Sequence, residues 1–311
     1  MRAKKTRNPS LVRYGAAAIV LLGIKIIDSL EVAYEKAGGQ RRSVQVTIPS
    51  THTFQKKPQT SHERTSLSVM TINIAHGRKD GAHQLFQKTN TIKANLNDVS
   101  RVLKRNKPDL VALQEADGSS AWSGNFDHVR YIARRAGYIH SVRGEHVKMK
   151  NTSYGTALLS MFSLKTPISV KFAPSPPTFS KGVVLSTIVI PGTPNRAIDV
   201  ASLHLDFARK SVRETQVKEI IAKLKHRKNP LILMGDFNCE WTSRESTLHH
   251  LAEMLNLKAY RPYSKDIITY PKSGRRLDWI LISREFEFVT HTTLEDTISD
   301  HLGVCAKIRI A

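Results

Sequence analysis

Polar residues stand at the ends of several apolar segments in this chain of 311 residues. Glu115 follows a mostly apolar run in VALQEA, and a carboxylate is expensive to bury unless it is paired or bound to a metal. The same arrangement recurs at Asn73, His204, Asp236, Asn238, Asp278, Asp300 and His301. One such residue is usually a satisfied structural group. This many, spread over different apolar segments, predict a shared active-site cleft.

The residue types at these positions favour one kind of chemistry. Carboxylate and amide oxygens without a cysteine form a hard site that suits Mg²⁺ or Mn²⁺. Zinc fits less well because the His-x-x-x-His or cysteine-rich spacing that it favours is missing. Two histidines beside such a site suit proton transfer and the stabilisation of anionic oxygens. The whole set predicts attack by water on a phosphate ester.

The elements that must hold these residues follow from the apolar periodicity. Alternating or continuous apolar runs predict strands at 68–75, 109–116, 153–162, 183–190, 197–205, 231–237, 277–283 and 303–310. Apolar spacings of three and four predict helices at 91–106, 127–136 and 211–225. Because several strands are apolar on both faces, the pattern predicts two packed sheets covered by helices, an α/β sandwich.

The ordered motifs resemble those of the endonuclease/exonuclease/phosphatase superfamily. They are TINIAHG, PDLVALQEAD, YGTALLS, SLHLDFARKSVRETQ, LILMGDFN, TYP with RRLDWI, and SDHLGV, and they cover about residues 69–311. Any one motif is weak, whereas the ordered set is specific. The resemblance implies a deoxyribonuclease-I-like fold, a four-layer α/β sandwich with two packed sheets flanked by helices. It also implies a phosphoric ester hydrolase that depends on Mg²⁺ or Mn²⁺.

The resemblance further implies a metal site. Glu115 would be the principal ligand, supported by Asn73, and Asp300 would face the metal. Asp236 and Asn238 would lie at the same site, where Asn238 would bind a phosphate oxygen or a second metal.

The catalytic roles are implied in the same way. Asp236 would orient or deprotonate the attacking water, and His301 would contact the scissile phosphate. Asp278 would hold His301, since a buried carboxylate behind a histidine fixes its tautomer and favours its cation. His204 would be the second histidine, near the phosphate or the leaving group.

Weaker expectations concern the flanking positions. Tyr154 matches the tyrosine-glycine start of a family strand, and the resemblance implies that it is a catalytic residue. Thr156 stands where many relatives carry asparagine, which puts a phosphate contact from this strand in doubt. Arg213 and Gln216 are expected to brace a loop. His76 is placed at the rim of the cleft.

The predicted catalytic domain spans residues 67–311 and is preceded by two segments of different composition. Residues 1–30 join a basic start to an apolar block at 14–24, which is too short for a membrane-spanning helix and fits an export signal. An uncleaved membrane anchor and an amphipathic soluble helix are the alternatives. Residues 31–66 are expected to form a polar linker, with one short strand near 44–48. The expected location is therefore exported or membrane-anchored, with a soluble catalytic domain.

The net charge of the chain limits the classes of partner that we expect it to bind. Lys and Arg number 48 against 26 Asp and Glu, a net charge of +22, which favours nucleic acid, acidic lipid headgroups or phosphorylated small molecules. Two cysteines exclude a disulfide-rich scaffold and a four-cysteine zinc site. The substrate stays open between DNA or RNA, for a nuclease, and sphingomyelin or a phosphoinositide, for a lipid phosphoesterase. A catalytically dead binding protein ranks last because the predicted site residues are all present. We expect a monomer.

Overall fold

The computed structural model describes residues 44–54, 65–81, 87–190, 197–241 and 246–310 of the chain. The strands found there, numbered in chain order, are β1 Gln45–Thr47, β2 Thr51–Thr53, β3 Ser66–Asn73, β4 Leu110–Asp117, β5 His140–Met149, β6 Thr152–Ser160, β7 Lys165–Lys171, β8 Gly182–Val189, β9 Ala197–His204, β10 Leu231–Asp236, β11 Leu257–Ala259, β12 Asp278–Ser283, β13 Phe286–Thr293 and β14 Val304–Ile310. The α-helices are α1 Thr89–Asn106, α2 His128–Ala136, α3 Lys210–Leu224 and α4 Thr247–Met254.

The strands form two mixed sheets of seven strands each. The first has the order β1-β7-β8-β9-β10-β12-β11, and the second has the order β13-β14-β3-β4-β6-β5-β2. Each sheet contains one parallel pair among its described strands, β9 with β10 in the first and β3 with β4 in the second. Parallel neighbouring strands have their carboxyl ends on the same side of a sheet, so the last residues of these strands come together there.

Three apolar cores separate four layers. The first core lies between the two sheets, the second between α1, α2 and the second sheet, and the third between α3, α4 and the first sheet. The core between the sheets includes Val69, Ala112, Val200 and Ile232. The core beneath α1 and α2 includes Leu96, Ile132, Ile72 and Leu113. The core beneath α3 and α4 includes Val217, Leu248, Leu203 and Leu233. This arrangement confirms the predicted four-layer α/β sandwich.

Strand β4 shows how the sequence builds these layers. Leu110 and Ala112 point into the core between the sheets, whereas Val111 and Leu113 point into the core beneath α1 and α2, because successive side chains of a strand alternate. Burial of each larger aliphatic side chain contributes roughly 1.5–3 kcal/mol. A strand that is apolar on both faces is therefore stable only between two cores.

The predicted strands and helices all occur, with small changes at their ends. The elements without a prediction are β2, β5, β7, β11, β13 and α4. Charged residues interrupt β5, and most side chains of the edge strand β13 are exposed or half-buried, so neither shows a clear apolar pattern. The helix α4 has only 8 residues, too few for a strong periodic signal.

Part of the predicted linker belongs to the folded unit. Strand β1 pairs with β7, and β2 pairs with β5, so residues 45–47 and 51–53 extend one edge of each sheet. The side chains of both short strands are exposed or half-buried. The strand predicted near 44–48 corresponds to β1. No prediction covers β2, whose pairing uses main-chain groups that leave no apolar signal in the sequence.

No helix in the described ranges is long and apolar enough to cross a membrane. The segment at 1–30, predicted to be a signal or anchor, lies outside those ranges.

Candidate active site

The carboxyl ends of the parallel strand pairs meet at one end of the sandwich. Asn73 ends β3, His204 ends β9 and Asp236 ends β10, while Asp278 opens the antiparallel β12 directly opposite Asp236. The Asn73 side chain donates from Nδ2 to Asp236 Oδ2 over 3.1 Å. This contact joins the two sheets and brings predicted residues of both into one cleft.

The Asp236 carboxylate lies at the centre of the cleft. The Nε2 atoms of His204 and His301 lie 3.5 and 3.8 Å from its Oδ2. Burial and the neighbouring charge of Asp278 raise the pKa of Asp236 to about 7, against the opposing charge of His301. A carboxyl of this kind can take up a proton near neutral pH.

His301 and Asp278 form a charged pair. His301 Nδ1 lies 2.8 Å from Asp278 Oδ2, and both side chains are buried. Burial opposes charging of the imidazole, but Asp278 and Asp236 outweigh it and raise the pKa of His301 to about 10. Atoms of these three residues lie within 4.8 Å of one another, as in a metal centre. An imidazolium carries a proton on each nitrogen and cannot ligate, so we interpret the group as a charge-stabilising dyad beside a base.

Asn238 follows the central carboxylate in a strained turn. Its φ is 51°, a left-handed value that asparagine tolerates better than most residues. Its backbone N–H donates to Asp236 Oδ1 at 2.9 Å, and its Nδ2 donates to the carbonyl oxygen of Leu205 at 3.0 Å. One amide hydrogen thus ties the β9 and β10 loops together, and the side-chain carbonyl oxygen is the group left for a metal.

Glu115 lies where β4 bulges away from β6. The register shifts between Leu113 and Ala116, and Glu115 adopts a φ of 49°. Such bulges re-aim a side chain and are frequent next to active sites. Glu115 Oε2 lies 3.3 Å from His76 Nε2, and His76 Nδ1 lies 2.6 Å from Asp117 Oδ1. Burial opposes the charge on His76, but the two carboxylates more than offset it and raise the pKa of this histidine.

Cations surround Glu115. Burial opposes its ionisation, yet the charges of His76, Lys181 and Arg78 together hold the pKa of the Glu115 carboxyl well below its usual range. The carboxylate is therefore ionised at every physiological pH and can serve as a ligand for a hard cation.

His76 and Asp117 are closer to the centre than the sequence indicated. The sequence placed His76 only at the rim and did not single out Asp117, although Asp117 follows Glu115 by two residues on the same strand. Asp117 Oδ2 also accepts from Trp122 Nε1 at 2.8 Å. The rings of Trp122 and Tyr154 lie 4.9 and 4.7 Å from the His76 ring. Tyr154, predicted to be catalytic, thus contacts the cleft by packing its ring on His76.

Asp300 is held by two cations. Its Oδ2 lies 3.0 Å from Arg78 Nη2 and 3.5 Å from Lys272 Nζ. A metal at Asp300, as the resemblance implies, would compete with both side chains for this carboxylate.

Lys181 is a site residue that the sequence did not reveal. Its side chain is buried, and among the described residues its ammonium forms no ion pair. Burial and the Lys181 charge lower the pKa of His204 well below its ordinary value, so His204 is neutral. No apolar pattern marks a lysine that directly precedes β8, which explains why it was missed.

The loop after His204 is braced as predicted. Arg213 Nη1 donates to the Asp206 carbonyl oxygen at 3.0 Å, and Gln216 Oε1 accepts from the Asp206 N–H at 2.8 Å. Thr156 makes an internal contact instead of facing the cleft, because its hydroxyl lies 2.9 Å from Nε2 of the buried His146.

The donor set of the cleft fits a hard divalent cation. Glu115 supplies an ionised carboxylate, Asp236 a second carboxylate, and Asn73 and Asn238 supply amide oxygens. Oxygen donors of this kind match the preference of Mg²⁺ and Mn²⁺.

Comparison with protein families gives a match over residues 70–301 to the Endonuclease/Exonuclease/phosphatase family. Comparison with curated protein sequences gives no match.

Solved structures share the fold at low identity. A Beutenbergia cavernae protein described as an endonuclease/exonuclease/phosphatase is 21% identical with a TM-score of 0.63, over 80% of this chain and 72% of that one. The catalytic domain of human Nocturnin with bound sulfate is 21% identical with a TM-score of 0.61, over 85% and 98%. A mannosyl-6-phosphatase from Bacteroides thetaiotaomicron is 15% identical with a TM-score of 0.56, over 78% and 99%.

Proposed function

Because the chain belongs to the endonuclease/exonuclease/phosphatase family, whose members are hydrolases acting on phosphate esters, we propose that it is a Mg²⁺- or Mn²⁺-dependent phosphoesterase that uses water as the nucleophile. The observation that carries this proposal is the position of Asp236 Oδ2 between Asn73, His204 and His301. A base, a cation and a neutral histidine meet there within reach of one phosphate.

Asp236 serves as the base. With a pKa raised to about 7 by burial, it accepts a proton from the attacking water near neutral pH. Asn73 donates to its Oδ2 and fixes the direction of the other lone pairs.

His301 stabilises the charge that develops on the phosphate. Its imidazolium is present in the resting site because Asp278 holds it, so no reorganisation is needed when charge develops. The Lys181 ammonium, whose charge also acts on Glu115, adds a second cation that stabilises negative charge on the phosphate. His204 is neutral and lies beside the base, where it can give a hydrogen bond to the leaving oxygen.

Glu115, Asn73, Asp236 and Asn238, with Asp300 as a further candidate, would hold the metal. When bound, a divalent cation polarises a phosphoryl oxygen and lowers the pKa of a coordinated water.

The proposal is tested with the full chain on a substrate panel. The panel contains plasmid DNA, single-stranded RNA, sphingomyelin, a phosphoinositide, bis(p-nitrophenyl) phosphate and p-nitrophenyl phosphate, because the reaction class is firmer than the substrate. We expect turnover of at least one substrate, loss of that turnover with EDTA, and recovery with Mg²⁺ or Mn²⁺. Asp236→Asn should be inactive, and Glu214→Gln, which removes an exposed carboxylate on α3, should match the parent. Full activity in metal-free buffer contradicts the metal, and an active Asp236→Asn variant contradicts the cleft.

A further inference from the structure

Phe207 is an exposed aromatic residue three positions after His204. Its side chain is 64% exposed, although large aromatic side chains are normally covered. A single exposed apolar residue on a mobile loop would need no explanation. Phe207 is different because the turn that carries it is held on both sides.

Asp206 fixes that turn. Its Oδ1 accepts from the backbone N–H groups of Ala208 and Arg209 at 2.9 and 2.8 Å, which flank Phe207 on its carboxyl side. Its Oδ2 accepts from the Thr178 hydroxyl, so the turn is also tied to the segment before β8. The Arg209 guanidinium adds a contact to the same segment, to the Ser175 carbonyl oxygen at 2.6 Å. The aromatic ring is therefore presented from a fixed backbone.

Lys181 connects this ring to the catalytic cleft. Its ammonium lies 5.9 Å from the centroid of the Phe207 ring. The same ammonium acts on Glu115 and His204 through its charge, so it belongs to the cleft as well. A cation that can hold a phosphate thus lies directly beside an exposed aromatic surface.

We propose that Lys181 and Phe207 bind the two parts of one substrate class: a phosphate on Lys181, and a planar ring of the esterified alcohol stacked on Phe207. The inference rests on the proposed function and gives it a substrate class, phosphate esters that carry an aromatic ring such as a nucleobase or an aryl group. A long acyl chain is a poorer fit because it needs a continuous apolar surface. The residues after Phe207 are Ala208, Arg209 and Lys210, all exposed and two of them charged.

The test measures direct binding in Mg²⁺ buffer to the full chain carrying Asp236→Asn, the variant expected to bind these phosphate esters without hydrolysing them. Calorimetry compares inorganic phosphate, phenyl phosphate and cyclohexyl phosphate, where the last has a ring of similar size that is not planar. A nucleoside monophosphate is the fourth ligand and distinguishes a nucleobase from a simple aryl group. The variants are Phe207→Leu, which keeps an apolar side chain, Phe207→Tyr, which keeps the ring, and Lys181→Gln. Met254→Ala, which removes an exposed apolar side chain at the end of α4, is the control.

We expect phenyl phosphate to bind at least about fivefold tighter than cyclohexyl phosphate, the lower range of one aromatic stacking contact. Phe207→Leu should remove this preference and leave inorganic phosphate unchanged, whereas Phe207→Tyr and Met254→Ala should keep it. Lys181→Gln should weaken all phosphate ligands alike.

Two results would overturn the inference. If phosphate binds but phenyl and cyclohexyl phosphates bind equally, or if Phe207→Leu keeps the preference, the ring site is refuted and the phosphoesterase proposal stands. If no phosphate ligand binds, the phosphoesterase proposal fails and the ring site fails with it.

Discussion

Replacing Asp278 by asparagine removes the charge behind His301 and keeps nearly the same shape. Asp278 is fully buried and lies 2.8 Å from His301 Nδ1, so the contact is a charge-assisted hydrogen bond without competition from water. Hydrogen bonds to charged groups contribute about 1.5–3 kcal/mol. At about 1.4 kcal/mol for each tenfold in rate, Asp278→Asn should lower kcat roughly 10- to 150-fold. His301→Ala removes the cation itself and should lower kcat on the order of 100-fold or more.

The pH dependence gives a second signature of the same change. The raised pKa of His301, about 10, keeps the imidazolium present below that value, and the cation is lost as the pH rises through it. Without Asp278, burial lowers the pKa of this histidine, so the alkaline limb of the activity profile should move towards neutral pH. A purely structural loss would lower the whole profile without moving this limb.

Steady-state kinetics on aryl phosphate diesters with a good and a poor leaving group provides the assay. Circular dichroism checks the fold, and Glu214→Gln serves as the control for loss of a carboxylate. The reasoning is refuted if His301→Ala stays within about threefold of the parent on both substrates, far below the loss typical of an acid/base or electrostatic group. It is also refuted if the Asp278→Asn profile keeps its alkaline limb.

Three further predictions concern stability and location. His146 is buried and its pKa is lowered to about 3, so its contribution to the free energy of unfolding should be fully present above about pH 6.5 and should fall by up to about 1.4 kcal/mol per pH unit below that pH. In thermal melts from pH 7 to 5, His146→Gln should reduce this dependence on pH, whereas replacement of the exposed His226 by glutamine should not. Equal slopes for the parent and both variants would contradict the assignment. A Cβ added at Gly235 would lie 2.0 Å from the carbonyl oxygen of Leu203, so Gly235→Ala should lower the free energy of unfolding by at least about 2 kcal/mol in urea titrations, and an unchanged midpoint would be inconsistent with this close approach. The fragment 44–311 should keep the kcat of the full chain but differ from it in cell fractionation, and identical recovery of both in the soluble fraction would rule out an anchor or export signal at 1–30.

The layers of the fold follow from apolar residues, which is why they could be predicted. Leu110 to Leu113 are apolar on both faces of β4, and only a strand between two cores buries both. The strand β1 lies within the short strand predicted near 44–48. The strand β2 could not be predicted in the same way, because its contribution is main-chain pairing at a sheet edge.

The residues of the candidate site also fall into those that the sequence indicated and those that only the structure reveals. Residues at the ends of apolar strands, such as Asn73 and Asp236, were visible because a polar group is unexpected there. Lys181 was not visible and His76 was placed only at the rim, because a lysine before a strand and a histidine in a turn are ordinary in sequence. His76 approaches Glu115 through the pairing of β3 with β4, and Lys181 approaches it only when the two sheets pack.

The two short edge strands also have a mechanical consequence. Tension applied to the chain ahead of residue 44 first loads β1 and then β2, which pair with their sheets through three residues each. Both strands lie at outer edges, and at least two strands separate them from β9, β10, β3 and β4, which end in the cleft. A pull from this side would peel the edge strands one pair at a time before it could distort the catalytic strands. Unpairing of the segment 44–54 would thus dissipate such a force before it reached the strand ends that form the cleft.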